Sequence, residues 1–274
     1  MSDLNKLTLI DGNEIPAVGF GVWQSKGDAL ITAIQCAIES GYRLIDTAAI
    51  YGNEAEVGDA IKMAGISREN LFVTTKLWND RHDDVENAFN ESLERLKCDY
   101  VDLYLIHWPV SGQGKFVDAW NSMIKLRDSG RVKSIGVSNF SLKQISQLES
   151  ATGVIPAVNQ LQIHPFNQQK ELVDWQRSKG IITQAWSPLG HGNENLLSDP
   201  GIEAIAKKHL KKPAQIILRW LYENKIVPLP KSGNPTRIKE NIDIFNFRLS
   251  PQERLFMDEL DRGFNVGNDP ESFN

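Results

Sequence analysis

The sequence predicts an α/β protein: a (β/α)8 TIM barrel with an N-terminal β-hairpin and a C-terminal tail over the active-site rim. Three observations predict it. Short apolar runs alternate with segments of helical period from end to end, and eight such pairs fit into the 274 residues. The run at residues 101–107 is almost continuously apolar, as expected for a parallel strand buried on both faces. Repeated β–α alternation implies a parallel sheet, and eight units imply that it closes, in a chain of suitable length. No linker, short repeat or low-complexity tract interrupts the pattern, so residues 1–274 are expected to form a single domain.

The elements follow in order. Asp11-Gly12-Asn13 marks the hairpin turn, and residues 17–20 form the first barrel strand. Ala29, Ala33 and Ala37, with Leu30, Ile34 and Ile38, make an i, i+4 stripe, hence a helix that Gly41 ends. Residues 43–46 are the second strand, and Val57, Ile61 and Ala64 mark the helix after it. Residues 71–76 are the third, followed by Val85, Phe89, Leu93 and Leu96 at helical spacing. After the strand at 101–107, Trp120, Ile124 and Arg127 lie on a helix that stops at Ser129-Gly130. Residues 132–138, 157–162, 181–185 and 226–229 supply the last four strands. Ser250-Pro251-Gln252-Glu253 starts a terminal helix, with Ser as N-cap, Pro at the first helical position and Glu at N3. From Gly263 to Asn274 there is no periodicity.

Composition narrows the function. Hydrophobic residues make up 41% and charged residues 24%, values of an ordinary globular protein. A net charge of −5 argues against a nucleic-acid partner, so any anion site has to be local. No run approaches the ~18 apolar residues of a membrane span. Residues 1–11 lack a basic stretch followed by an apolar one, so a cytoplasmic chain without a membrane partner is expected. Cys36 and Cys98 are expected as free, buried thiols.

Four polar residues stand near the ends of successive strands. The runs end in Asp46, Lys76 and His107, and Tyr51 follows Asp46 by five residues. In a parallel barrel all four project from one rim, the C-terminal face, where such barrels keep their chemistry. Taken singly, an Asp, Lys or His there is an ordinary solvated or salt-bridged group. Their recurrence across three successive units is what points to a site. A phenol with a pKa of ~10 holds its proton too tightly for easy donation. Lys76 is expected to lower that value, Asp46 to keep Lys76 charged, and His107 to orient a carbonyl oxygen beside the phenol. Such a set protonates oxygen as it becomes alkoxide but supplies no hydride, so a reduced cofactor is required.

These residues sit in motifs that resemble the aldo-keto reductase family. Gly41-Tyr42-Arg43-Leu44-Ile45-Asp46-Thr47-Ala48 with Tyr51-Gly52-Asn53-Glu54 is similar to its first signature. Asp102 followed by Leu103-Tyr104-Leu105-Ile106-His107-Trp108-Pro109 is similar to part of the second. Pro230-Lys231-Ser232 through Arg237-Ile238-Lys239-Glu240-Asn241 is similar to the third, and Gly136-Val137-Ser138-Asn139-Phe140 is also typical. The likeness runs from Leu7 to Pro270. It implies that Asp46, Tyr51, Lys76 and His107 are the catalytic tetrad with Tyr51 as the acid, and that the cofactor is NADPH. By the same resemblance Ser138, Asn139 and Gln160 hold the nicotinamide carboxamide, and Trp186 stacks on the ring. Ser187, Leu189 and Gly190 match the pyrophosphate loop, and Glu240 and Asn241 would contact adenine. A monomer is implied as well.

Lys231, Ser232 and Arg237 form a local basic and hydroxyl cluster beside Pro235-Thr236, a helix start whose free N–H groups favour a phosphate. The cluster suits the 2′-phosphate of NADP, although without the resemblance it would pass for a solvated basic loop. Gly233-Asn234 departs from the family pattern, which has a larger residue followed by Thr. No Gly-x-Gly-x-x-Gly follows a strand, so a Rossmann site is not indicated. Trp23, Trp78 and Trp108 each follow a strand and are expected to wall the substrate cleft. The segment from Pro109 to Lys115 is brief, which suits small or polar carbonyls. Within the family the chain looks most like the bacterial 2,5-diketo-D-gluconate reductases, which also reduce methylglyoxal. Two other readings stay open: a Schiff-base aldolase with Lys76 as nucleophile, and a cofactor-sensing regulatory subunit on the same barrel.

Overall fold

The computed structural model describes residues 6–192 and 194–264. β1 (Lys6–Thr8) and β2 (Glu14–Pro16) form the antiparallel hairpin, which turns at Gly12 with φ +87°, a left-handed value glycine adopts without strain. Eight parallel strands follow in one sheet: β3 (Phe20–Gly21), β4 (Leu44–Asp46), β5 (Phe72–Leu77), β6 (Val101–Ile106), β7 (Val132–Ser138), β8 (Val158–Gln162), β9 (Ile182–Trp186) and β10 (Val227–Pro228). The helices α1 (Gly27–Glu39), α2 (Glu54–Met63), α3 (Val85–Leu96), α4 (Phe116–Asp128), α5 (Leu142–Thr152) and α6 (Lys170–Ser178) follow β3 to β8 in turn. Between β9 and β10 lie α7 (Glu194–Leu197), α8 (Pro200–His209) and α9 (Pro213–Glu223); α10 (Pro235–Ile242) and α11 (Pro251–Asp258) come last.

All eight expected strands are present, with small shifts at their ends. The first shifts most: residues 17–19 lie outside the ladder and β3 is two residues long. The cause is the barrel seam. Gly19 N and Gly21 N donate to the carbonyls of Pro228 (3.0 Å) and Pro230 (3.1 Å), and a proline has no N–H to return. The seam is therefore bonded in one direction only. It is also tight, since a Cβ on Gly19 would lie 2.5 Å from Leu229 Cδ2, just after β10.

Alternation along the strands divides the barrel interior into two halves. Leu44, Phe72, Leu103, Leu105, Val158 and Val227 pack with Leu9 and Ile15 of the hairpin, which plugs the N-terminal end with apolar side chains. Further along β4, β5 and β8, and on β9 between β8 and β10, stand Asp46, Thr74, Lys76, Gln160 and Gln184, all buried. One end of the barrel is thus a dry stopper and the other a buried polar layer.

The terminal helix begins as the sequence implies: Ser250 Oγ accepts from Glu253 N at 3.2 Å, and the Glu253 carboxylate accepts from Ser250 N at 2.7 Å. After it, Arg262 N and Phe264 N both donate to Phe166 O, at 3.1 and 2.9 Å, tying this segment to the loop after β8. Of the tail expected over the rim, residues 263–274, all but Gly263 and Phe264 lie outside the described residues. Cys36 and Cys98 are free, but both are half-buried rather than buried as expected. No helix among the described residues is long and apolar enough to cross a membrane.

Candidate active site

Asp46 is the last residue of β4, Lys76 stands near the end of β5, and His107 follows β6 directly. Tyr51 closes a single 3-10 turn, Ala49–Tyr51, between β4 and α2. The turn ends at Gly52, with φ +60°, and is pinned from both sides. Asn53, fully buried, accepts from Thr47 Oγ1 at 2.7 Å and donates to Val22 O and Ser25 O at 3.0 Å each. Glu54, also buried, takes Thr75 Oγ1 at 2.5 Å and Arg95 Nε at 2.7 Å. These two residues aim the phenol at the barrel mouth.

The four side chains meet there. Lys76 Nζ donates to Asp46 Oδ1 at 2.6 Å and to Thr47 O at 2.8 Å, and it lies 3.5 Å from Tyr51 Oη. The His107 ring packs edge-on against Tyr51 at 5.7 Å and against Trp78 at 5.1 Å between centroids. Lys76 is 0% exposed, so its ammonium persists only because its partners compensate the lost hydration. Burial works against the charge, but Asp46 and then Tyr51 more than offset it, and the lysine pKa is raised.

Tyr51 differs from the sequence expectation. Lys76 does pull its pKa down, but burial pushes it up by more, and the net direction is upward. The phenol therefore holds its proton throughout the neutral range. His107 is held well below its ordinary pKa, first by burial and then by the Lys76 ammonium, so the imidazole is neutral.

Two further histidines share that state: burial brings both His82 and His164 down to about 4. Against an unfolded value of ~6.5, the unfolded chain binds more protons between the two pKa values. Stability is then complete above that range and is lost as pH falls toward 4. Urea denaturation should show a loss of roughly 1–2 kcal/mol per histidine between pH 7 and pH 5. A flat profile over that window would contradict neutral, buried imidazoles.

The mouth opens into a cleft of about 910 Å³. Its walls include Ser138, Asn139, Gln160, Trp186, Ser187, Leu189, Lys231, Ser232, Arg237, Glu240 and Asn241, together with Trp23, Trp78 and Trp108. Of the site residues singled out from sequence, Lys76 and Gly190 are not on the wall: Lys76 is wholly buried behind it, and Gly190, with φ +66°, is a turn residue whose N–H reaches Ser187 O at 2.9 Å. Trp186 Nε1 donates to Asn139 Oδ1 at 2.9 Å, which fixes the indole plane. Asn139 spends its amide hydrogens inside the protein, on His107 O and Ser138 Oγ, both at 3.1 Å. It acts as a brace between strands more than as an open ligand. Trp23 is 45% exposed and its ring lies 5.2 Å from that of His191.

The phosphate expectation needs correction at the start of α10. Asn234 Oδ1 accepts from Thr236 N at 2.9 Å and Arg237 N at 3.1 Å, while Ile238 N bonds Asn234 O. Pro235 has no N–H, so this helix start has no free donor to offer. What remains is side-chain chemistry: Lys231 and Arg237 are exposed and have no ion-pair partner among the described residues.

Sequence reasoning missed Thr47, the bracing roles of Asn53 and Glu54, and Gln184 behind Gln160. It also missed Ile50, His191 and the Lys212-Pro213-Ala214 segment on the cleft wall. For Gln184 a signal existed: a glutamine at an inward strand position, where apolar residues normally fill a barrel.

Known proteins resemble this chain along its whole length. The aldo/keto reductase family pattern matches residues 17–262. The chain is 46% identical to the methylglyoxal reductase DkgA of Escherichia coli (strain K12) over 273 residues, covering 100% of this chain and 99% of that protein. It is 48% identical to an aldo-keto reductase of Mycolicibacterium smegmatis, over 98% of both chains. The crystal structure of a mutant of Gox0644 in complex with NADPH superposes with a TM-score of 0.94 at 40% identity, over 98% of both chains. A lysine buried between an aspartate and a tyrosine at a barrel mouth, in a sequence this similar throughout, leaves one assignment: the chain belongs to the aldo/keto reductase family.

Proposed function

We propose that this protein reduces aldehydes and ketones to alcohols with NADPH, and that its substrates are small α-dicarbonyls such as methylglyoxal or keto-sugar acids such as 2,5-diketo-D-gluconate. The observation that carries the reading is the Lys76 ammonium, wholly buried between Asp46 at 2.6 Å and the Tyr51 hydroxyl at 3.5 Å. Tyr51 keeps its proton at neutral pH and is the acid; Lys76 stabilises the phenolate left behind, and Asp46 holds Lys76 charged. His107, neutral, donates one ring N–H to the carbonyl oxygen and orients it toward the phenol. NADPH held in the cleft would supply the hydride that the side chains cannot.

The residues present fit that cofactor. The cleft wall carries a fixed indole face, Trp186, and the side chain of Gln160. The same wall carries Ser232 with two exposed cations, Lys231 and Arg237, that have no ion-pair partner among the described residues. Lys231, Ser232 and Arg237 would hold the 2′-phosphate through side chains alone, with Glu240 and Asn241 toward the adenine and Ser187 and Leu189 along the pyrophosphate. The compact wall of Trp23, Trp78 and Trp108 suits small carbonyls that hydrogen-bond well and bury little area. The methylglyoxal activity in the name of the Escherichia coli relative supports the same substrate class. Two features oppose a Schiff-base aldolase: Lys76 is tied to Asp46 and Thr47 O, and its pKa is raised where a nucleophilic amine needs it lowered. We take the protein to act as a monomer.

The test is NADPH consumption with methylglyoxal, 2,5-diketo-D-gluconate and a steroid ketone under one set of conditions. The small dicarbonyls should have the higher kcat/KM, and a steroid that wins would refute the substrate reading. NADPH should be preferred to NADH. Lys231→Ala or Arg237→Ala should each weaken NADPH binding by roughly tenfold or more, about 1.5–3 kcal/mol, while leaving NADH affinity little changed. Equal affinity for the two cofactors in the unmodified protein would remove the 2′-phosphate role.

A further inference from the structure

β8 and β9 run parallel with Gln160 and Gln184 as register partners. Registered neighbours on parallel strands point to the same side, so both amides enter the polar half of the barrel interior. Gln160 is 2% exposed and Gln184 is wholly buried. Gln160 Nε2 donates to Asp46 Oδ2 at 2.8 Å and to Gln184 Oε1 at 3.0 Å. Asp46 Oδ1 is the oxygen that receives Lys76. Both oxygens of the carboxylate are thus claimed, one by the ammonium and one by an amide.

Hydrogen-bond chemistry fixes the orientation of each group in this line. An ionised carboxylate only accepts, so the end of Gln160 beside Asp46 is its NH2. That NH2 has two hydrogens, and the second goes to Gln184, whose nearer end must then be its oxygen. The Gln160 carbonyl oxygen is left turned away from Asp46 in a side chain that lines the cleft. Gln184 bears a cost for this: its own Nε2 is buried without a hydrogen-bond partner among the described residues. An apolar side chain of the same size would remove this unpaired donor but strand one amide hydrogen of Gln160, so the two costs offset and stability by itself does not select a glutamine here.

We propose that Gln184 is a positioning residue for the reaction. By accepting one amide hydrogen of Gln160, it locks that amide so that the NH2 steadies Asp46 against Lys76 and the carbonyl oxygen is presented to the cleft. There the oxygen would be free to accept from the carboxamide of a bound nicotinamide. One rigid line then joins the cofactor seat to the proton donor: Gln184, Gln160, Asp46, Lys76, Tyr51. The proposal rests on the NADPH-dependent reduction argued above.

The experiment compares Gln184→Leu, which removes the acceptor, with Gln184→Glu, which keeps an oxygen in its place. Thermal melting, NADPH Kd from Trp fluorescence, and kcat and KM with methylglyoxal are measured for each. Gln184→Leu should melt close to the wild-type temperature, because it removes the unpaired Gln184 Nε2 but leaves one Gln160 amide hydrogen without its acceptor. It should nevertheless bind NADPH about threefold to tenfold more weakly and lose roughly fivefold or more in kcat, with KM for methylglyoxal little changed. Gln184→Glu should recover most of both losses. A leucine variant with wild-type kcat and Kd overturns the proposal. So do leucine and glutamate variants that are equally impaired in step with lowered melting temperatures. The Kd does not depend on turnover, so a wild-type protein that binds NADPH but reduces no carbonyl would sink the functional reading, and Kd in the variants would still decide the role of Gln184.

Discussion

Tyr51→Phe is expected to lose ~10²–10⁴-fold in kcat for carbonyl reduction while binding NADPH as tightly as the wild type. The hydroxyl is the one group at the mouth that combines a retained proton with a cation 3.5 Å away to receive the resulting charge. Removing it leaves the ring, its edge contact with His107, and the Lys76–Asp46 pair in place, so the fold and the cofactor seat should be undisturbed. The loss falls on kcat because the proton is needed only in the transition state. Stopped-flow reduction under single-turnover conditions separates this from slow product release. A phenylalanine variant with near wild-type single-turnover rates would remove Tyr51 from the acid role.

Lys76→Met should damage both stability and activity, and the two effects can be separated. Asp46 is 4% exposed, and without the ammonium its carboxylate would be buried with the Gln160 amide as its remaining partner. Stranding one member of a buried pair costs about 3–5 kcal/mol, whereas replacing both members by neutral groups can cost little. The double variant Asp46→Asn, Lys76→Met should therefore regain much of the stability lost by Lys76→Met alone, and regain none of the activity. Urea midpoints of the wild type, the two single variants and the double variant form the required cycle. A double variant no more stable than Lys76→Met would mean that packing, not the uncompensated charge, explains the loss.

Particular elements show what a linear reading can reach. The strand ending in Asp46 and the strands leading to Lys76 and His107 were legible because a buried parallel strand is a short apolar run, and a polar residue at its end stands out. The start of α11 was legible for a similar reason, since Ser250 and Glu253 satisfy each other's backbone donors within four residues. The extent of β3 was not legible, because it depends on prolines some 200 residues away in sequence that accept hydrogen bonds and return none. The phosphate loop was misread in one detail: Asn234, a departure from the family pattern, caps its own helix and occupies the donors expected to be free.

The sequence by itself determined the barrel, the identity of the tetrad candidates and the local basic cluster, because each is written in the period and spacing of neighbouring residues. Only the tertiary structure decided how those groups are electrostatically set. Whether Tyr51 is acidified or not depends on burial set against a lysine from another strand, and burial prevails. The bracing of the Tyr51 turn by Asn53 and Glu54, and the line from Gln184 through Gln160 to Asp46, likewise join strands and loops far apart in the chain. Desolvation and hydrogen bonding between such groups act over a few ångströms of space, so they come into being only when the barrel closes.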